Sequence, residues 1–154
     1  MITKTQIAFS YIFIISILWV GLVVGLSFIE APLKFKAPSV TLPIGLEIGH
    51  LVFHALNRIE WAFTALIVLN LFLTPAKPET FLVTIIVVSI FLSQSWLLYG
   101  FLDQRTLAVI NGQTIPKAPY HIYYIVLEVF KLISLGFLVY FQLKDFQTFL
   151  LGSN

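Results

Sequence analysis

The sequence predicts an all-α fold: a four-helix transmembrane bundle running up-down-up-down, with both termini on the same side. Three observations carry this expectation. Hydrophobic residues make up 59% of the 154-residue chain and charged residues only 10%, against about 25% charged in an ordinary soluble domain. Apolar stretches of about 20 residues recur four times, the length a helix needs to cross ~30 Å of hydrocarbon. Prolines and short polar segments fall between those stretches, where a chain leaving one helix must turn before entering the next.

The elements follow in order, within one integral membrane domain covering 1–154. The first span is expected over 7–29, a length suited to crossing rather than to the shorter apolar core of a secretion signal. The second is expected over 44–73, long enough to tilt. The third is placed at 81–102 and the fourth at 120–143. Pro32, Pro38 and Pro43 punctuate the first connection. Pro75 and Pro78 leave so little chain in the second that spans two and three must be antiparallel neighbours. The third connection holds Asn111-Gly112, Pro116 and Pro119. Around Asn111-Gly112, the run 106–115 fits either a short hairpin or a partly helical interfacial loop. The tail from Lys144 is mildly amphipathic and belongs near the interface.

Composition also closes off several functions. Nine Lys+Arg against seven Asp+Glu leave a net charge of +2, and no basic run exists to track phosphates, so nucleic acid is not an expected partner. The chain has no cysteine, which removes disulfides, iron–sulfur clusters and thiolate zinc sites. Ser93, Ser95 and Ser134 lie in spans, but none sits in a Gly-x-Ser-x-Gly motif. There is no glycine-rich phosphate loop, so no enzymatic reaction is assigned. Lys34, Lys36, Arg105 and Lys117 fall on one side and Lys4, Lys77 and Lys144 on the other. This small difference tips the four-charge side toward the cytoplasm.

Ionisable residues inside the spans are the informative feature, since each costs about 2.5–3.5 kcal/mol at a helix centre. On the second span Glu47, His50, His54, Asn57, Arg58 and Trp61 share an arc of about 100°, with Glu60 beside it. On the fourth, His121, Tyr124, Glu128 and Lys131 lie within about 80° of one another. Ser16, Ser27 and Glu30 share a face of the first span. The third adds Gln94 and Arg105 on one face and Asp103 on another. The simplest arrangement is a polar cleft between the spans, closed at the terminal side and open toward the first and third connections. Glu30, His50, His54, Asn57, Arg58, Glu60, Gln94, His121, Tyr124, Glu128 and Lys131 would line it. Arg58 and Lys131 are expected to pair with Glu60 and Glu128, leaving no net charge at the midplane. Gly21-x-x-x-Gly25, on another side of the first span, suits a close helix contact.

The histidines allow a sharper alternative. His50 and His54 are one helical turn apart, so both imidazoles can meet one divalent metal ion, and His121 could supply a third nitrogen. A haem held between His54 and His121 is also compatible with the spacing.

Four short stretches carry a family resemblance. They are Leu18-Trp19-Val20-Gly21, Phe28-Ile29-Glu30-Ala31-Pro32-Leu33-Lys34-Phe35, Gly45-Leu46-Glu47-Ile48-Gly49-His50-Leu51-Val52-Phe53 and Leu56-Asn57-Arg58-Ile59-Glu60. Together they resemble the transmembrane-protein-205-like family of small four-span membrane proteins, over roughly the first 70 residues. In the fourth span only the position of His121 matches. The resemblance implies a fold and topology, and points to Pro32, Phe35, Asn57, Arg58 and Glu60. It assigns no reaction.

Three functions remain open. The first is a membrane protein whose polar cleft binds a small molecule, ion or lipid headgroup, or relays protons. The second is a structural or accessory subunit, with membrane-protein partners or a second copy of itself in the lipid bilayer. The third is a haem- or metal-bearing redox component built on His50, His54 and His121.

Overall fold

In the computed structural model the described residues are 4–73, 76–116 and 118–152, with side chains described within 11–148. Pro75, expected in the second turn, and Lys117, expected at the interface, lie outside them, as does the Lys4 side chain. The order is α1 (Lys4–Val23), a π-helical stretch (Val24–Glu30), α2 (Ala31–Leu33) and a 3₁₀ turn (Lys34–Lys36). Then come α3 (Leu42–Leu73), α4 (Pro78–Leu97), a second π-helical stretch (Leu98–Leu102), α5 (Asp103–Ile110) and α6 (Tyr120–Gly152). No strand occurs among the described residues. Four helical stretches are long and apolar enough to cross a membrane: Tyr11–Lys36, Leu42–Leu73, Pro78–Ile110 and Tyr120–Thr148. Helices suit that solvent because each satisfies its own backbone groups where no water can.

Proline sets the starts of the helices. Pro43 is the second residue of α3 and Pro78 the first of α4, positions where a missing N–H leaves no helical bond unmade. Phe81 N–H then closes the first turn of α4 onto Lys77 O at 2.9 Å. α1 packs against α3 and α6, and α4 packs against the same two helices. α3 and α6 therefore face each other across the bundle's diagonal.

The interior is layered. Ile12, Ile15, Trp19, Val23, Ile67, Val87, Phe91, Leu135 and Leu138 form an apolar core toward the terminal side. Leu97, Leu98 and Tyr124, backed by Phe53 and Phe101, form a second core toward the connections. Large apolar side chains such as Phe72, Leu73, Trp96, Leu51 and Ile122 point outward. In water that surface would be an aggregation liability; against acyl chains it is the expected exterior.

The third connection resolves in favour of helix. α5 ends at Ile110, and Gly112 takes a φ of +75°. Gly112 N–H donates to Val109 O at 3.0 Å and Gln113 N–H to Ala108 O at 2.9 Å, the paired bonds of a Schellman cap. Asn-Gly thus closes a helix, not a hairpin, because the left-handed glycine that suits one also suits the other. Gly112→Ala is expected to cost about 1–2 kcal/mol locally. Amide exchange over Asp103–Ile110 should quicken; unchanged protection there would argue against the cap.

The expected contact at Gly21 and Gly25 is not made. No atom among the described residues lies within 4 Å of a Cβ placed on either, because this side of the span faces outward. Close approach occurs instead on α3. The Phe35 ring covers Gly45, and the Lys34 ammonium lies 3.0 Å from the Cβ position of Gly49.

Candidate functional site

The buried face of α3 carries Gly45, Gly49, Leu56, Asn57, Glu60, Thr64 and Ile67. That of α6 carries Tyr124, Glu128, Lys131, Leu135, Leu138 and Gln142. These two faces meet across the diagonal at Lys131, whose ammonium donates to Glu60 Oε1 and lies 3.0 Å from Glu128 Oε2. The exposure of these three side chains is 0–2%. α1 adds the Trp19 indole N–H, which donates to Glu60 Oε1 at 2.7 Å. The first π stretch adds Ser27, whose hydroxyl donates to Glu128 Oε1 at 2.7 Å. α4 adds Gln94, whose amide donates to Glu128 Oε2 and, at 3.4 Å, to Tyr124 O. All four spans therefore contribute a side chain to one ionic cluster.

The charge count differs from the sequence expectation. Arg58 is exposed, roughly 160° around α3 from Glu60, since two residues advance a helix by about 200°. An arginine on the lipid side can extend its stem toward the interface. The cluster is left with two acids and one base, not two of each. Glu47 and His121 are exposed as well. His121 is the second residue of α6, where its predecessor Tyr120 stacks on Phe101 at 4.8 Å and takes the inward position. Glu30 is half-buried and holds Lys34 at 3.3 Å, apart from the central cluster.

Gln94 Oε1 and Asn57 Nδ2, on residues that neighbour the cluster, are buried and lack a partner among the described residues, as do Ser16 Oγ and Thr64 Oγ1. Ser95 Oγ donates to Asn57 Oδ1 at 3.3 Å. Ser95 also lines a shallow groove with Trp61, Leu92, Trp96, Tyr99 and Gly100.

Toward the connections a second cluster forms between α3 and the start of α5. His54 Nε2 and Asp103 Oδ2 are 2.7 Å apart, and His50 Nδ1 and Asp103 Oδ1 are 3.2 Å apart. The two imidazoles lie 4.4 Å apart, with Tyr99 edge-on to His54 at 4.8 Å. A metal ligand set of His50, His54 and His121 is thus not assembled. The third member of the histidine group is Asp103, whereas His121 is exposed at the start of α6.

A straight helical wheel puts Asp103 on the wrong face because it omits the π-helical stretch Leu98–Leu102. A π turn carries about one extra residue, which rotates everything beyond it by about 100°. Trp19 enters the sequence reading only within the Leu18–Gly21 stretch, although an indole N–H in lipid has no water to meet and so calls for a protein acceptor. At the far end of the bundle Lys77 donates to Asp145 at 2.5 Å, and that hydrogen bond holds the Lys77 ammonium above the ordinary lysine range.

No family model, curated protein or solved structure matches the chain.

Proposed function

We propose that this small multi-pass membrane protein handles a proton or a small cation at the Glu60–Lys131–Glu128 cluster. One observation carries the reading: two carboxylates and one ammonium, all with side-chain exposure of 2% or less. Buried charge that is not balanced is expensive, and in hydrocarbon it marks ion or proton handling by default. Charge balance here calls for one further positive charge, held by the carboxylate pair. The unpartnered Gln94 Oε1 and Asn57 Nδ2 support it, since such atoms suit bridging water, which conducts protons between fixed groups. The apolar core around Trp19 and Phe91 would close the terminal side, so exchange would run toward the connections.

A second reading has its own support. The carboxylates receive donors from Trp19, Ser27, Gln94 and Lys131, which is also how an interhelical lock would be built. In that reading the protein is a structural or accessory subunit. The similarity of Asn57-Arg58-Ile59-Glu60 and the Ala31-Pro32 connection to the transmembrane-protein-205-like family is compatible with either.

Flux separates them. The full chain is reconstituted in vesicles containing a trapped pH indicator, and a proton or sodium gradient is imposed. The parent is expected to dissipate a gradient faster than empty vesicles. Glu60→Gln and Glu128→Gln should fall to the empty-vesicle rate while remaining folded, and Arg58→Gln should keep the parent rate. A parent no faster than empty vesicles, or both glutamine variants matching it, would leave the lock as the answer.

A further inference from the structure

We infer that His50, His54 and Asp103 form a binding site for a first-row divalent transition-metal ion, at the connection end of the bundle and separate from the ionic cluster. One ligand atom from each of the three lies within 4.8 Å of the others. Around an ion with bonds of about 2.0–2.2 Å, neighbouring ligand atoms stand roughly 3–3.5 Å apart. The 2.7 Å and 3.2 Å separations run from His54 and His50 to different oxygens of the Asp103 carboxylate, so the three side chains must draw together by up to about 1.5 Å to reach that spacing.

Two further observations point to a ligand. His50 Nδ1 is buried and makes no hydrogen bond, although it stands 3.2 Å from Asp103 Oδ1. A latch that merely tied α5 to α3 would align both imidazoles on the carboxylate, whereas here one ring nitrogen converges on it without a bond. The second observation is the π-helical stretch Leu98–Leu102 immediately before Asp103. Continued as an α-helix, the chain would carry Asp103 about 100° away from α3. The local departure from regular helix is what brings the carboxylate onto the histidine pair.

The neighbouring charges leave Asp103 available. Lys34 pairs with Glu30, and Arg105 donates to Pro116 O and lies over the Tyr120 ring. Among the described residues Asp103 forms ion pairs only with His50 and His54. Two imidazole nitrogens with one carboxylate suit zinc, iron(II), manganese or cobalt rather than calcium or magnesium, which prefer all-oxygen sets. Three protein ligands leave at least one coordination position open. The side chains are 16–26% exposed, so water can reach it.

The test uses the full chain in detergent or nanodiscs, stripped with a chelator and titrated with cobalt(II), whose visible absorption reports coordination. One ion per chain is expected, displaced by zinc. His54→Ala and Asp103→Asn should each weaken binding by more than about 100-fold, since even outer-shell partners are worth about 10- to 100-fold. His121→Ala should bind like the parent. Helicity and melting of each apo variant are followed by circular dichroism, and His50→Gln serves where another variant does not fold. Absence of a stoichiometric cobalt spectrum would overturn the proposal, as would His54 and Asp103 variants that bind like the parent. Because the readout is metal affinity, a negative flux result for the Glu60 cluster leaves this site standing, and the reverse also holds.

Discussion

Replacing Lys131 with methionine is expected to be the most damaging single change in this protein, at about 3–5 kcal/mol. Methionine fits the volume and the apolar surroundings, so packing is largely kept. What is lost is the cation that, among the described residues, pairs with both Glu60 and Glu128, leaving two buried carboxylates close together without it. The contrast with Glu60→Gln and Glu128→Gln is the informative part. Each of those removes one negative charge and leaves a neutral acid–lysine pair, so each should be near the parent in stability. Melting of all three in the same lipid mixture checks this. A Lys131→Met variant as stable as the parent would show that the cluster's charge is neutralised by other means.

The second large effect is expected at Trp19. Its side chain is fully buried, with Phe63 and Phe91 at centroid distances of 5.8 and 5.9 Å, and its N–H reaches Glu60. In water Trp→Ala typically costs about 3–5 kcal/mol. In a membrane the transfer part shrinks, because acyl chains are as apolar as the core. The cavity and the lost charge-assisted bond remain, which puts Trp19→Ala near the lower end, at about 3 kcal/mol. Trp19→Phe keeps most of the ring and removes the donor, so it should cost about 1.5–3 kcal/mol. If Trp19→Phe is neutral while Trp19→Ala is not, the indole acts by packing alone. If Glu60→Gln erases the Trp19→Phe penalty, the two residues are coupled through that bond.

Much of the candidate site was readable before any coordinates. Glu60, Glu128 and Lys131 stood out because charge in a span of lipid-length apolar sequence needs a partner. The tilt of those groups toward each other across α3 and α6 was the simplest way to supply one. The wheel failed where its assumptions failed. It grouped Arg58 with the polar residues of α3 by counting one broad arc. The buried face is centred instead on Gly45, Gly49, Leu56 and Glu60, which puts Arg58 outside. It misplaced Asp103 because a π turn has no signature in apolar sequence. It left Asn111-Gly112 open between a short hairpin and a partly helical loop because the left-handed glycine suits both.

Length and polarity of the apolar runs determined by themselves the all-helical class, the number of crossings and the tight joining of the second and third. In hydrocarbon every backbone group must be satisfied locally, so a local pattern is enough. The tertiary structure alone decided which ionisable groups meet. That depends on helix rotation and diagonal packing, to which a single residue of π-helical insertion contributes about a quarter of a turn. The excess carboxylate at the centre and the His50–His54–Asp103 group at the edge both came from that rotation.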